Sequence, residues 1–179
     1  MAAAGRLLEK EGAEAVSFRA IARDVGVSQT APYNHFESKE HLLATVAEEG
    51  FRSFAALQRA AAKSRSPSRC LCALGRAYVA FACDHPQLYR LMFGVGLADW
   101  KRYPALAEAA LAASIPVQQA LGAGPGRGKI DAKQPEVAWI ATWALVHGLA
   151  SLLIDGKLDQ SGAGRLGERI TRWYAGRVL

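Results

Sequence analysis

Apolar residues recur along this chain at steps of three and four, the spacing of one helix face, and no stretch sustains the period-two alternation of a strand. The clearest case is Phe18, Ile21, Ala22 and Val25, which fall at i, i+3, i+4 and i+7. Ser17 before them can cap a helix, and Gly26 after them can end it by taking positive φ. The same reasoning predicts a first helix over Ala2 to Glu11, stopped at Gly12, and a short third helix from a Ser28 cap to about Phe36. Ser38 caps a fourth, from Lys39 to about Lys63, with Leu42, Leu43, Val46, Phe51, Phe54 and Leu57 on its apolar face. The run S-R-S-P-S over 64–68 breaks the pattern, and a fifth helix then reaches Asp84, closed by the His85-Pro86 step. Further helices are expected over Pro86–Phe93, Tyr103–Leu121, Pro135–Ile154 and Gly164–Val178, with glycine-rich Gly122–Gly128 as the loosest loop. The expected fold class is all-α, with about nine helices and no internal repeats.

Within that series, Ser17 to Leu43 reads as two short capped helices joined by a D-V-G-V-S turn, the form of a helix-turn-helix. Ile21, Val25, Val27 and Phe36 are expected to lock the pair together. The second helix, opened by Ser28, then presents Gln29, Thr30, Ala31, Tyr33, Asn34 and His35 outward. These side chains are uncharged, and their chemistry suits a major groove. Gln and Asn can bond adenine edges bidentately, and Thr and Ala methyls can meet a thymine methyl. Thr, Tyr and His, with Lys39 beyond them, can donate to phosphates without reading sequence. Helical proteins that never touch DNA also contain such corners, so spacing by itself leaves both readings open.

The residues themselves go further. Val25, Gly26, Val27, Ser28, Tyr33, His35, Phe36, Ser38, Lys39, Glu40, Leu42 and Leu43 spell V-G-V-S-x-x-x-x-Y-x-H-F-x-S-K-E-x-L-L, which resembles the signature of the tetracycline-repressor (TetR) family. The resemblance covers Leu7 to about Val46. It implies a three-helix DNA-binding head over 1–46, an effector-binding and dimerisation bundle over 47–179, and phosphate contacts from Tyr33, His35 and Lys39. Two departures stand out. Members of the family usually open with a basic arm, whereas this sequence enters its first helix at once; an arm before Met1 would account for an acidic head. Pro32 sits inside the recognition helix, but within its first turn, where a missing N–H costs little.

A second resemblance lies further on. TWALVHGLASLL, holding Trp143, His147 and Gly148, and HPQLYRLMFG over His85 to Gly94 are similar to a TetR subgroup with a Trp-His-Gly effector domain. Trp139, Trp143, His147 and Ser151 stand four apart and form one helix stripe. Taken alone the stripe reads first as core, with His147 satisfied by a backbone carbonyl, and second as a ligand contact. On the resemblance, Tyr89, Phe93, Trp100, Tyr103, Trp139, Trp143 and His147 are expected to line an effector pocket. Acids are few there, so the effector is expected to be mostly apolar, neutral or weakly anionic. The last two helices are expected to pair into a homodimer through Leu145, Leu149, Leu152 and Trp173, and two heads to bind a palindromic operator in double-stranded DNA. The function so implied is a DNA-binding repressor released by a small molecule.

Charge changes the picture only locally. The 179 residues carry +6 overall, yet residues 1–50 hold five basic and eight acidic residues, a net of −3 that leaves +9 for the remainder. From Phe51 to Cys83 there is no acid, which reads first as a solvated basic helix face and second as an auxiliary DNA surface. Cys70, Cys72 and Cys83 are an odd number in apolar surroundings without metal-ligand spacing, so buried thiols in a reducing cytoplasm are expected. Gly122–Gly128 lacks the ending of a phosphate-binding loop. Asp84, Asp99 and Glu108 are too scattered for an acid–base pair, and no enzyme, metal or cofactor is expected. No charge-free apolar run long enough for a membrane span is anticipated, because His147, Gly148 and Ser151 interrupt Val137 to Ile154, which reads as a buried helix.

Overall fold

A computed structural model describes residues 2–94, 102–122 and 135–178, all helix or connecting turn, with no strand among them. In chain order the elements are α1 (Ala2–Glu11), α2 (Phe18–Val25), a 3₁₀ turn η1 (Ala31–Asn34), α3 (Lys39–Ala61), α4 (Pro67–Asp84), α5 (Pro86–Phe93), α6 (Pro104–Ala120), α7 (Pro135–Ile154) and α8 (Ala163–Val178). The expected loop lies outside the described residues beyond Gly122, as does Trp100.

Local chemistry sets most boundaries. Gly12 closes α1 at φ 81°, its N–H returning to the Leu8 carbonyl at 2.8 Å. The Ser17 side chain accepts the Ala20 N–H and caps α2, and Gly26 ends it at φ 72°. The Ser38 hydroxyl accepts the His41 N–H at 3.1 Å and opens α3. The third helix departs from expectation. Ser28 does not cap it: the Ser28 hydroxyl bonds the Thr30 hydroxyl at 3.2 Å, and only four residues wind, as 3₁₀. Pro32 sits in the first turn of η1, as anticipated, and is buried.

The chain forms two compact units. The first comprises residues 1–53 and 85–111, the second 54–84 and 112–179. In the first, Leu8, Val16, Ala22, Leu42, Phe51 and Met92 are withdrawn from solvent. Phe51 meets Phe93 edge-on at 5.2 Å, and Tyr89 lies 4.8 Å from Phe93. Gly50 lets α3 approach α5 closely, since a Cβ there would fall 2.8 Å from Met92 Sδ and 2.9 Å from Leu88 Cδ1.

In the second unit α4 and α8 cross through small residues. A Cβ at Gly167 would lie 2.8 Å from Val79 Cγ2 and 2.9 Å from the Gly75 carbonyl oxygen, and one at Gly75 would overlap the Thr171 hydroxyl. That hydroxyl is buried and donates to the Gly167 carbonyl at 2.7 Å. Val79, Leu149, Leu153 and Ala163 form one core cluster beside the crossing, and Cys70, Leu71, Leu74, Leu121 and Ala175 another. Leu57 is exposed instead of facing the core. Gln58 takes the inward position one residue on, because the face set by Phe51, Phe54 and Ala55 continues to residue 58, and its amide donates to the Leu74 carbonyl at 3.4 Å. Burial raises the Cys70 thiol above its usual range.

α7 also differs from expectation. The helix forms over the expected residues, but His147, Gly148 and Ser151 still leave Glu136–Ile154 long and apolar enough to cross a membrane by length and composition, a test that core helices of soluble proteins also pass. Yet only 28% of that stretch is buried, so it is no buried helix within one chain. Val137, Ile140, Trp143 and Leu152 are exposed.

Candidate functional site

The expected recognition residues lie on or beside η1 in the first unit. Ser28, Gln29, Thr30, Tyr33, Asn34 and His35 are exposed, Tyr33 to 64%, while Ala31 is half-buried. Solvent exposure of a tyrosine leaves its phenol open to a partner, and its ring is still held: Phe18 of α2 meets it edge-on at 4.7 Å. Phe18 also stacks on Phe36 at 6.3 Å. The ring contacts between α2 and the recognition turn run through Phe18, while Val25 and Val27, expected to share the lock, are each 48% exposed and Ile21 is half-buried. The physical reason is length. A four-residue turn covers one side of α2 only, and the αL reversal at Gly26 leaves both valines outside it.

Lys39 opens α3 beside this turn. Its ammonium donates to the Glu14 carbonyl at 2.9 Å, which fixes the side chain near the recognition turn; an ammonium has three protons, so one such bond does not exhaust it. His41 was not foreseen. Its Nδ1 accepts the Glu37 N–H at 3.4 Å, and its ring lies edge-on to Phe36 at 5.8 Å and stacked on Tyr103 at 6.1 Å. Its place one turn into α3, four residues after Glu37, was the available signal. An ion pair from Arg6 of α1 to Asp24 of α2, 2.7 Å long, links the first two helices.

The aromatic residues expected around an effector divide between the units. Tyr89, Phe93 and Tyr103 belong to the first, Trp139, Trp143 and His147 to the second. In the second unit the indole of Trp139 stacks on that of Trp143 at 5.6 Å, and Trp143 lies 5.6 Å from the His147 ring. Among the described residues His147 is bonded by a side chain. Its Nδ1 lies 3.1 Å from the Tyr78 hydroxyl, which in turn accepts the Trp143 Nε1–H at 3.2 Å. Burial lowers the His147 pKa below its ordinary 6.5 and favours the neutral ring. The indole N–H donates to the phenol oxygen, and the phenol and the neutral imidazole share the next bond, with the donor set by the imidazole tautomer. Tyr78 is held by Phe54, edge-on at 5.2 Å. The Trp139 Nε1–H is buried and has no acceptor among the described residues.

A cavity of about 240 Å³ lies in the first unit, lined by Leu8, Glu9, Val46, Gly50, His85 and Leu88 among others, and by none of the expected effector residues. Among the described residues no cluster of His, Cys, Asp or Glu could hold a metal. Of the expected dimer contacts, Leu152 and Trp173 are exposed, at 48% and 59%, and Leu145 is half-buried. Leu149 is instead in this chain's own core with Val79 and Leu153, because it faces α4 and α8.

Residues 1–46 match the family described as bacterial regulatory proteins, tetR family, and residues 71–172 match the tetracyclin repressor-like C-terminal domain. An uncharacterised HTH-type transcriptional regulator of Mycobacterium tuberculosis is 25% identical over 153 residues, 85% of this chain and 67% of that protein. A protein of unknown function from Rhodococcus sp. RHA1 shares 28% identity and a TM-score of 0.85, over 99% of this chain and 92% of that one. The TetR family transcriptional regulator PfmR of Thermus thermophilus has a TM-score of 0.66 at 18% identity, over 98% and 94% of the two chains.

Proposed function

Because the chain belongs to the TetR family and is a DNA-binding transcriptional regulator, we propose that it is a cytoplasmic repressor, released from a palindromic operator by a small-molecule effector. Residues 1–46 would bind DNA and 47–179 would bind the effector and dimerise. The observation that carries the DNA reading is the exposed, uncharged set on and beside η1, in which Gln29 and Asn34 offer amides to base edges and Tyr33 and His35 offer donors to phosphates, joined by the Lys39 ammonium at the start of α3. Selection of binding sites from random duplexes tests it. Gln29→Ala and Asn34→Ala should each change the preferred bases, and unchanged preferences would move the reading surface elsewhere.

Two copies are supported by the uncovered apolar side of α7 and by Trp173 on α8, since exposed patches of that kind mark association surfaces. A symmetric dimer would present its two recognition turns to two half-sites. The effector reading rests on the hydrogen-bonded Tyr78, His147 and Trp143 beside the Trp139 Nε1–H, which is buried and has no acceptor among the described residues. An apolar molecule carrying one acceptor would satisfy that N–H, in keeping with a neutral or weakly anionic effector. Binding there would shift the chain between DNA-competent and DNA-incompetent states. Titrating candidate ligands against Trp fluorescence, with His147→Ala as control, tests the site.

A further inference from the structure

We propose that Glu9 of α1 is the positioning residue through which α5 sets the DNA-binding helices. α5 begins with an unusual deficit. Every helix leaves its first N–H groups without partners inside the helix, and a Ser, Thr, Asp or Asn at the cap position commonly accepts them. Here the cap position holds His85, at φ −133° and ψ 60°, and its side chain makes no capping bond. Pro86 at the first helical position has no N–H to offer. The next two, of Gln87 and Leu88, are both taken by one carboxylate from 78 and 79 residues earlier: Gln87 N–H donates to Glu9 Oε2 at 3.2 Å and Leu88 N–H to Glu9 Oε1 at 3.1 Å. Bonds from N–H groups to an ionised carboxylate are stronger than neutral ones, and negative charge is favoured at a helix N-terminus. α5 is thus capped from α1 and not from within.

The tie extends to the recognition turn by contacts already described. α1 is joined to α2 by Arg6–Asp24, and α2 to η1 by Phe18 against Tyr33. On its other side α5 is closely packed against α3 at Gly50 and paired through Phe51–Phe93. α5 is therefore built into the unit that carries the recognition residues, although it lies outside the segment of 1–46 that matches the DNA-binding family. A displacement of α5 must either carry α1 with it or break the Glu9 bonds. The inference rests on the reading of η1 as the DNA-contacting turn.

The test separates positioning from capping. Operator DNA is first selected by the wild-type chain from random duplexes, and affinities are then compared by fluorescence anisotropy at a temperature where every variant is folded by circular dichroism. Glu9→Ala removes both functions. Glu9→Ala with His85→Asp supplies α5 with a local cap and leaves α1 untied. Val79→Ala, in the core of the second unit and chosen for a comparable loss in Tm, controls for stability away from the α1–α5 tie. The expected result is an affinity loss of about tenfold in Glu9→Ala, within the usual span of coupling between sites. That loss should persist in the double variant and exceed that of Val79→Ala. Wild-type affinity in Glu9→Ala, a loss no larger than that of Val79→Ala, or recovery of affinity in the double variant would each overturn it. Tyr33→Ala with Asn34→Ala is measured in parallel. If that pair binds as wild type, the reading of η1 fails and the inference with it; if it loses binding while Glu9→Ala does not, only the inference fails.

Discussion

Gly75→Ala puts the close α4–α8 crossing to a direct test. On propensity alone, alanine in a helix interior is favoured over glycine by about 1 kcal/mol. Packing opposes this. The added Cβ would overlap the Thr171 hydroxyl and lie 2.9 Å from Thr171 Cβ and 3.2 Å from its Cγ2. Thr171 is 1% exposed and bonded to the Gly167 carbonyl, so it has little room to turn away. The helices must then separate, and overpacking of this kind costs about 1–3 kcal/mol. With outright overlap of a buried hydroxyl the strain falls in the upper part of that range, about 2–3 kcal/mol, leaving a net destabilisation of about 1–2 kcal/mol. A double-mutant cycle isolates the clash. Thr171→Ala removes the hydroxyl and Cγ2 and keeps only the 2.9 Å contact, so Gly75→Ala should cost at least about 1 kcal/mol less in that background. Urea denaturation at one fixed protein concentration measures both, since association shifts apparent stability. A neutral or stabilising Gly75→Ala, or the same cost in both backgrounds, would refute the reasoning.

Other outcomes follow from the same geometry. Lys39→Ala should weaken binding to operator and random duplexes alike and make the salt dependence shallower by about one unit of slope, checked by anisotropy across salt concentrations. Leu152→Glu or Trp173→Glu should yield folded monomers by light scattering, because an unpaired charge in an apolar interface is costly; a folded variant that stays dimeric would place the interface elsewhere. Burial holds the His147 pKa below 6.5, so the unfolded chain takes up its proton first as pH falls. The associated stability is complete above pH 6.5 and is lost as pH drops from there through the folded value. His147→Asn should flatten that part of the stability profile, measured by urea unfolding at several pH values.

What could be read from the sequence was governed by local chemistry. Ser17, Gly26, Ser38, Gly12 and the His85-Pro86 step act within a few residues of themselves, and the elements they bound fall where expected. The recognition turn is shorter than its pattern predicts because a serine before a helix has two uses. Ser28 bonds Thr30 in place of a backbone N–H, and the turn tightens. Periodicity carries the α3 face of Phe51, Phe54 and Ala55 to residue 58, but residue type favours Leu57, since a buried glutamine depends on an acceptor such as the Leu74 carbonyl of another helix. The aromatic stripe on α7 was visible, while its partner Tyr78, 69 residues away, was not marked by any spacing. The Glu9 bonds to α5 were equally hidden, because a capping carboxylate is normally sought within three residues of the helix it serves.

The brevity of η1 limits how much information one head can extract. Four residues of 3₁₀ helix at about 2.0 Å each span roughly 8 Å, and the two amides on and beside it, Gln29 and Asn34, can each bond one base edge, so one head reads about two base pairs through them. Two heads would then read about four base pairs directly, a word that recurs by chance on the order of once in a few hundred positions, against the roughly 10⁶ or more competing sites of a genome. Direct reading at that length cannot single out one promoter. Selectivity on the proposed interface would have to come from the fixed distance between half-sites and from how readily the DNA between them deforms. Such an operator would tolerate many base changes in its centre and would be inactivated by inserting one base pair there.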